Sequence, residues 1–499
     1  MFRTRVPIGE DILNRRHFLG LAGIAAGTGV LIPVSALAAG KPTRPAQAAR
    51  GAAGPADGPF SVRMPVPPTL SPVARTDDTD VYRLDILAAD LELLPGVRTK
   101  CLTFGGSFVG PTIRAREGRR VLVTYRNWLS EAANVHLHGG HVPADSDGHP
   151  MQVIDPGAER LYEYPNKQPG TTLWYHDHSH HVEAEHVYRG MHAFYLIEGE
   201  DEHRYHLPCG DYDIPIAIRD AQFDAGGQLV HGDPRERNVI LVNGRPKPYF
   251  RVAARKYRLR LLNSSTLRFL KLNFGSLPVF QIGSDGGLLP APADRTGTEF
   301  PLAAGERVDL VVDFSGLAVG SRFMLTNQGQ FTGNDEIEQV LRFDVDRTAR
   351  DHSRVPDELR PLPELPPATV NREVKLSFDL TNQPIGLING KPFDPDRVDQ
   401  RIQRGATEIW TITNGDAATK YGPIQHSFHM HMTQFRVLDR DGRPPLPGDA
   451  GLKDTIPLPP GTSVRVQATF ADYLGRYLYH CHMLEHSSAG MMGQMEIVD

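Results

Sequence analysis

Apolar and polar residues alternate one for one along short stretches, and this period of two predicts β-strands. Residues 81–87 (Val-Tyr-Arg-Leu-Asp-Ile-Leu) show the alternation of a half-buried strand, and strand-like runs follow at 120–127, 193–197 and 214–218. Gly, Pro and Asp turns separate them, while helical periodicity is hard to find. Segments 117–127, 255–263 and 404–414 repeat one pattern, a turn feeding a strand that ends in Asn127, Asn263 or Asn414. They recur at about 140 to 150 residues, a domain length rather than a solenoid period. The expectation is an all-β chain of three homologous domains at 79–205, 206–360 and 361–499, with Pro356, Pro361, Pro363, Pro366 and Pro367 crowding the second boundary.

Composition strengthens that picture. A chain of 499 residues can bury more than one core, and 48 Gly with 41 Pro favour strands and turns. The formal charge of -5, with both signs intermixed, leaves no basic stripe for phosphates, so nucleic acid is not an expected partner. The first residues differ in character. Asn14-Arg15-Arg16-His17-Phe18-Leu19 precedes an apolar stretch ending in Ala36-Leu37-Ala38, which reads as a twin-arginine signal peptide over 1–38, cleaved after the small residues. The twin-arginine export machinery is then a partner, and the mature protein is expected to be periplasmic, cell-wall-associated or secreted. No second apolar run is long enough for a membrane anchor. Residues 39–78, rich in Pro, Ala and Gly, read as a flexible lead-in.

The chemistry lies in the histidines. Of 21, most of the conspicuous ones fall in four clusters: His136-Leu137-His138, His176-Asp177-His178, His426-Ser427-Phe428-His429-Met430-His431, and His480-Cys481-His482 with His486 behind it. On a strand, residues two apart face the same way, so each His-x-His presents two imidazoles to one side. One such pair is a weak signal, because surface strands carry histidines freely. Four pairs in one chain, supplying eight imidazoles, point to metal. Cys481, between His480 and His482, faces the opposite side and can serve a second metal. A site of two His and one Cys with a long axial Met suits copper electron transfer, and His426, Cys481, His486 and Met491 supply that set. Met492 is a rival for the axial place. The other cysteines, Cys101 and Cys209, read equally as a disulfide or as two buried free thiols.

These motifs, in this order and spacing, resemble the copper signature of the three-domain multicopper oxidases. The likeness is strongest to the bacterial branch of laccases, copper-efflux oxidases and bilirubin oxidases. It runs from about residue 80 to 499 and includes Ser284-Asp285-Gly286-Gly287 and the stretch 304–310. The resemblance implies three cupredoxin-like Greek-key β-sandwiches and four copper ions per chain. By the family pattern, His136 and His429 would hold type 2 copper. His138, His176, His178, His431, His480 and His482 would hold the type 3 pair, and His426, Cys481, His486 and Met491 type 1. The implied reaction takes single electrons from a small-molecule reducing substrate and reduces O2 to water. Asp147 matches an acidic position that supplies protons near the cluster; as a residue before Gly148 it also reads as a turn aspartate.

Departures from the family pattern are informative. Relatives often carry Glu directly after the last type 1 histidine, where this chain has Ser487, so the second proton-relay group is unassigned. Glu485 is expected to face elsewhere by strand alternation. Ser427 and Met432 replace a Pro and a Gly common in relatives, and Asp454 resembles a position near type 1 copper. His141, His149, His180, His181, His186 and His192 match no ligand position and read as satisfied loop residues, although the closeness of His180, His181 and His186 to the second cluster suggests a further metal site. A phenol- or aminophenol-oxidising enzyme is favoured over a cuprous-ion oxidase, since there are only 11 Met and no Met-rich insert. A non-catalytic scaffold would be expected to lack ligands, and a copper nitrite reductase would lack the full histidine set.

Overall fold

The computed structural model describes residues 58–329 and 335–499. Residues 1–38, read above as a signal peptide, and residues 39–57 lie outside the described residues. What is described is nearly all β, arranged as three cupredoxin-like sandwiches of two sheets each. In the first, Ala74–Arg75, Thr79–Leu91, Thr99–Phe104, Arg120–Asn127 and Glu159–Tyr164 face a sheet of Gly110–Arg116, His192–Glu198, Thr171–His176 and His136–His138. The second sandwich draws its strands from 213–348 and the third from 370–498.

The repeated segments form equivalent strands: Arg120–Asn127, Lys256–Asn263 and Thr407–Asn414. Each pairs in parallel with an earlier strand of its domain, namely Thr79–Leu91, Asp213–Ala221 and Val370–Asp379. Each also sends alternate residues into its own core, as Val121, Val123 and Tyr125 do in the first. Burying a side chain of that kind stabilises by about 1.5 to 3 kcal/mol, so a one-residue slip of register would forfeit several times that. The terminal asparagine has one job in all three. Asn127 Nδ2 donates to the carbonyls of Glu131 and Ile154, and its Oδ1 accepts from Leu129 N. Asn263 bonds Arg268 O, Leu302 O and Ser265 N in the same way, and Asn414 bonds Ile424 O, Leu458 O and Asp416 N. A buried amide thus satisfies three backbone groups where the strand ends and the chain turns away.

The middle repeat strand departs from alternation, because its outward Arg258 and Arg260 are also buried. They meet Asp309 and Asp213 within the domain, and Arg260 Nη1 donates to Thr172 of the first domain at 2.8 Å. The expectation of a flexible lead-in is corrected for 58–78. Met64 is buried, and Met64 N, Leu70 N and Val73 N donate to Tyr249 O, Thr112 O and Val81 O. A Pro-rich segment stays extended, so it can be bonded to sheet edges without forming a regular strand of its own. Cys101 is buried and Cys209 exposed, both as free thiols, so neither the disulfide nor a buried pair is formed.

Two short helices, Glu183–Arg189 and Leu484–Ser488, follow the second and fourth histidine clusters. They pack together through Ala184, Val187 and Leu484, joining the first domain to the third beside the histidines.

Candidate metal centre

Strand pairing sets the histidines in register. His136 lies opposite His176 where His136–His138 pairs with Thr171–His176, and His429 lies opposite His480 where His426–Met430 pairs with Gly475–Cys481. The two sheet edges meet across the interface between the first and third domains. There the His136 and His431 rings stack at 3.8 Å, as do His138 and His429. All eight imidazoles predicted for the cluster converge and all are buried. His178 Nε2 and His431 Nε2 stand 3.3 and 3.2 Å from His480 Nε2, making a nest of three nitrogens. His136, His138 and His176 form a second compact group, and His136 a third with His429 and His431.

The nitrogens that face inward are chosen by what holds the opposite edge of each ring. His136 Nδ1 donates to Asp147 O at 2.6 Å, His176 Nδ1 to Asp177 O at 2.8 Å, His429 Nδ1 to Asp454 O at 2.8 Å and His480 Nδ1 to Cys481 O at 3.0 Å. His431 Nδ1 donates to Asp147 Oδ2 at 2.7 Å. His138 is turned the other way: its Nε2 donates to Asp454 Oδ1 at 2.9 Å, leaving Nδ1 inward. Burial pushes His136, His138, His429, His431 and His482 well below the usual imidazole range, and His176 and His480 to about 3, so these rings are neutral with a lone pair to offer. Burial would lower His178 too, but the Glu183 charge beside it raises it. Burial pushes the Asp147 carboxyl up to about 8.

The second site lies on the other side of Cys481. His426 Nδ1 and His486 Nδ1 are 3.1 Å apart, and Cys481 Sγ is 3.7 and 3.4 Å from them, all fully buried. Asp416 Oδ2 accepts from His426 Nε2 at 2.9 Å, fixing that ring, and Phe378 stands edge-on to His486 at 4.8 Å. Met491 shares the apolar core with Cys481, and its carbonyl accepts from Cys481 N. Met492 instead lies opposite His480, which favours Met491 for the axial place.

Several readings are corrected. Asp454 belongs to the eight-histidine cluster, not to the cysteine site; the carboxylate at the cysteine site is Asp416, which the sequence did not single out. Glu485 does point away, but from a helix rather than a strand, to Arg237 at 2.8 Å and Thr266 at 2.7 Å. No group of three metal-binding side chains among the described residues includes His180, His181 or His186. His186 is buried between Asp177 and Glu131, and the His180 and His181 rings lie 3.6 Å apart. Sequence reasoning also missed Glu183, which touches His178 and Ser487. The middle domain supplies no ligand, yet its Arg307 grips both oxygens of Asp454 at 2.7 and 2.6 Å, while Gly305, at φ +87°, leaves room for His482. A Cβ there would come within 2.6 Å of the His482 ring.

Whether a metal fits is answered by the nitrogens themselves. His136 Nε2, His138 Nδ1, His176 Nε2, His429 Nε2 and both ring nitrogens of His482 are buried without a hydrogen-bond partner. Unpaired buried polar atoms each cost about 1 to 3 kcal/mol, and so many aimed at one place fit bound cations. Imidazoles in one site and two imidazoles with a thiolate in the other are the donors that copper takes. The fold and its donors therefore define a copper protein of repeated cupredoxin-like domains. The chain belongs to the multicopper oxidases, whose family models match residues 86–202 and 365–499. A laccase from Bacillus stratosphericus is 33% identical over 88% of this chain and 99% of its own. A bilirubin oxidase from Albifimbria verrucaria is 34% identical over 87% of this chain and 80% of its own. The crystal structure of a laccase from Pediococcus acidilactici superposes with a TM-score of 0.81 at 31% identity, covering 90% of this chain and 96% of that one.

Proposed function

We propose that this protein is a laccase-type oxidase that couples one-electron oxidation of phenols, aminophenols or related small molecules to the reduction of O2 to water. The observation that carries this reading is the strand Gly475–Cys481, which holds His480 and Cys481 and runs on into His482. Its sulfur enters the His426 and His486 site on one side, its two imidazoles enter the eight-histidine cluster on the other, and His480 Nδ1 donates to the Cys481 carbonyl at 3.0 Å. One copper at the cysteine site and three in the cluster would supply the electron transfer and oxygen reduction. His426, Cys481, His486 and Met491 would hold the first; His136 and His429 the second; His138, His176, His178, His431, His480 and His482 the remaining pair. Asp147 is the group placed to give protons, since Oδ2 orients His431 while Oδ1 has no hydrogen-bond partner.

The complete ligand set argues against a non-catalytic scaffold, and the absence of a Met-rich insert favours organic substrates over Cu(I). The sequence of residues 1–38 supports export by the twin-arginine route to the periplasm, cell wall or medium. Oxygen uptake measured side by side with a phenol, an aminophenol, bilirubin and Cu(I) tests the substrate assignment. Fastest turnover is expected with one of the organic donors; turnover with Cu(I) alone would overturn that assignment.

A further inference from the structure

Ser487 occupies the position where relatives often carry a glutamate, yet a carboxylate is present beside it. Glu183, in the first turn of the helix Glu183–Arg189, is fully buried. Its Oε2 lies 2.7 Å from His178 Nδ1, and its Oε1 accepts the Ser487 hydroxyl. The side chains that meet it are His178, Ser487 and Ser488, and the helix packs against its neighbour through Ala184 and Val187 without its help. A carboxylate taken out of water with so little compensation is destabilising unless it holds something in place.

What it holds is the third member of the nitrogen nest. His178 Nδ1 and His431 Nδ1 each face a carboxylate at 2.7 Å, Glu183 as an ion-pair contact and Asp147 as a hydrogen-bond acceptor. Their Nε2 atoms then converge on His480 Nε2 at 3.3 and 3.2 Å. Without Glu183, the His178 ring is free to rotate or to present the wrong tautomer, and the nest loses one of its three donors. We propose that Glu183 is the positioning residue for His178, and that it replaces from the first domain the acid that Ser487 lacks in the third. The proposal rests on the copper-cluster reading given above. The contact between Glu183 and Ser487 also means that the site admits one carboxylate: two would set like charges against each other in a buried place.

Copper retention against a chelator tests this, with the blue colour of the Cys481 site as an internal control. Glu183→Ala is expected to keep that colour and to weaken retention of cluster copper by about 10- to 100-fold. Glu183→Ala combined with Ser487→Glu is expected to recover most of that loss, whereas Ser487→Glu alone should lower the unfolding midpoint. Glu183→Leu, which fills the space but offers no acceptor, carries the test if the alanine variant does not fold, and Glu183→Gln, which keeps a carbonyl acceptor for His178, should retain copper better than either. Cluster copper held as tightly by Glu183→Ala, or by Glu183→Leu in its place, as by the unaltered protein would overturn the proposal, as would a double variant no better than the single one. Unaltered protein that binds no cluster copper would instead overturn the oxidase reading itself.

Discussion

At the residue scale, the site depends on groups that touch its histidines rather than on the histidines alone. Asp147→Asn keeps an acceptor for His431 but removes an exchangeable proton. Turnover is expected to fall by at least about 100-fold while copper content and blue colour persist, as measured by oxygen uptake and metal analysis. His186 gives a pH signature. Burial alone would lower it, but the charges of Asp177 and Glu131 push it up from 6.5 to about 9. A raised pKa means stability that is fully present below about 6.5 and lost as pH rises through about 9. Unfolding midpoints of the protein and of His186→Gln should therefore differ most near pH 6 and converge above pH 9, on about the scale of these values. Equal separation at both ends would show that His186 acts only by packing.

At the element scale, the three equivalent strands ending in asparagine were legible because alternation over eight residues, repeated three times, is a strong signal. Asn414→Ala should unfold with about 2 to 4 kcal/mol less stability, since three backbone groups at the strand end lose their partner. A denaturant titration measures it, and a change under about 0.5 kcal/mol would contradict the assigned role. The helices Glu183–Arg189 and Leu484–Ser488 were not legible: with seven and five residues they span too few turns for a periodic pattern. This is why Glu485 was placed correctly for the wrong reason. The cluster histidines could be read because each His-x-His pair starts on a strand, where alternate residues share a face, although His178, His431 and His482 lie just past their strand ends. Glu183 could not, because its contact with Ser487 joins positions 304 apart in the chain. Asp454 was assigned to the wrong site for a related reason, since sequence does not say which of two neighbouring metal sites a buried carboxylate will meet.

At the scale of the whole molecule, the cluster belongs to no single domain. The first and third sandwiches supply its ligands, and the middle one holds them in alignment through a buried charge network. Arg307 grips Asp454, which in turn orients His138, while Lys453 reaches Asp285 and Glu306 at 3.0 and 2.9 Å. The motifs at 284–287 and 304–310 thus have a mechanical meaning. Arg307→Met leaves the buried Asp454 without its cation, held only by His138 and Thr455, and should destabilise by about 3 to 5 kcal/mol. It should also lower copper content at the cluster more than at the Cys481 site, which metal analysis with absorption spectroscopy would resolve. Selective loss at the Cys481 site would contradict that account.

The central claim is that one strand joins two metal sites with separate tasks, and Cys481→Ser tests it most directly. Copper-loaded variant protein, assayed for visible absorption, copper content and oxygen uptake with a phenol, is predicted to lose the intense thiolate-to-copper band and all turnover. It is predicted to keep the copper held by the eight histidines. Phenol-driven oxygen uptake that survives the substitution would contradict the account.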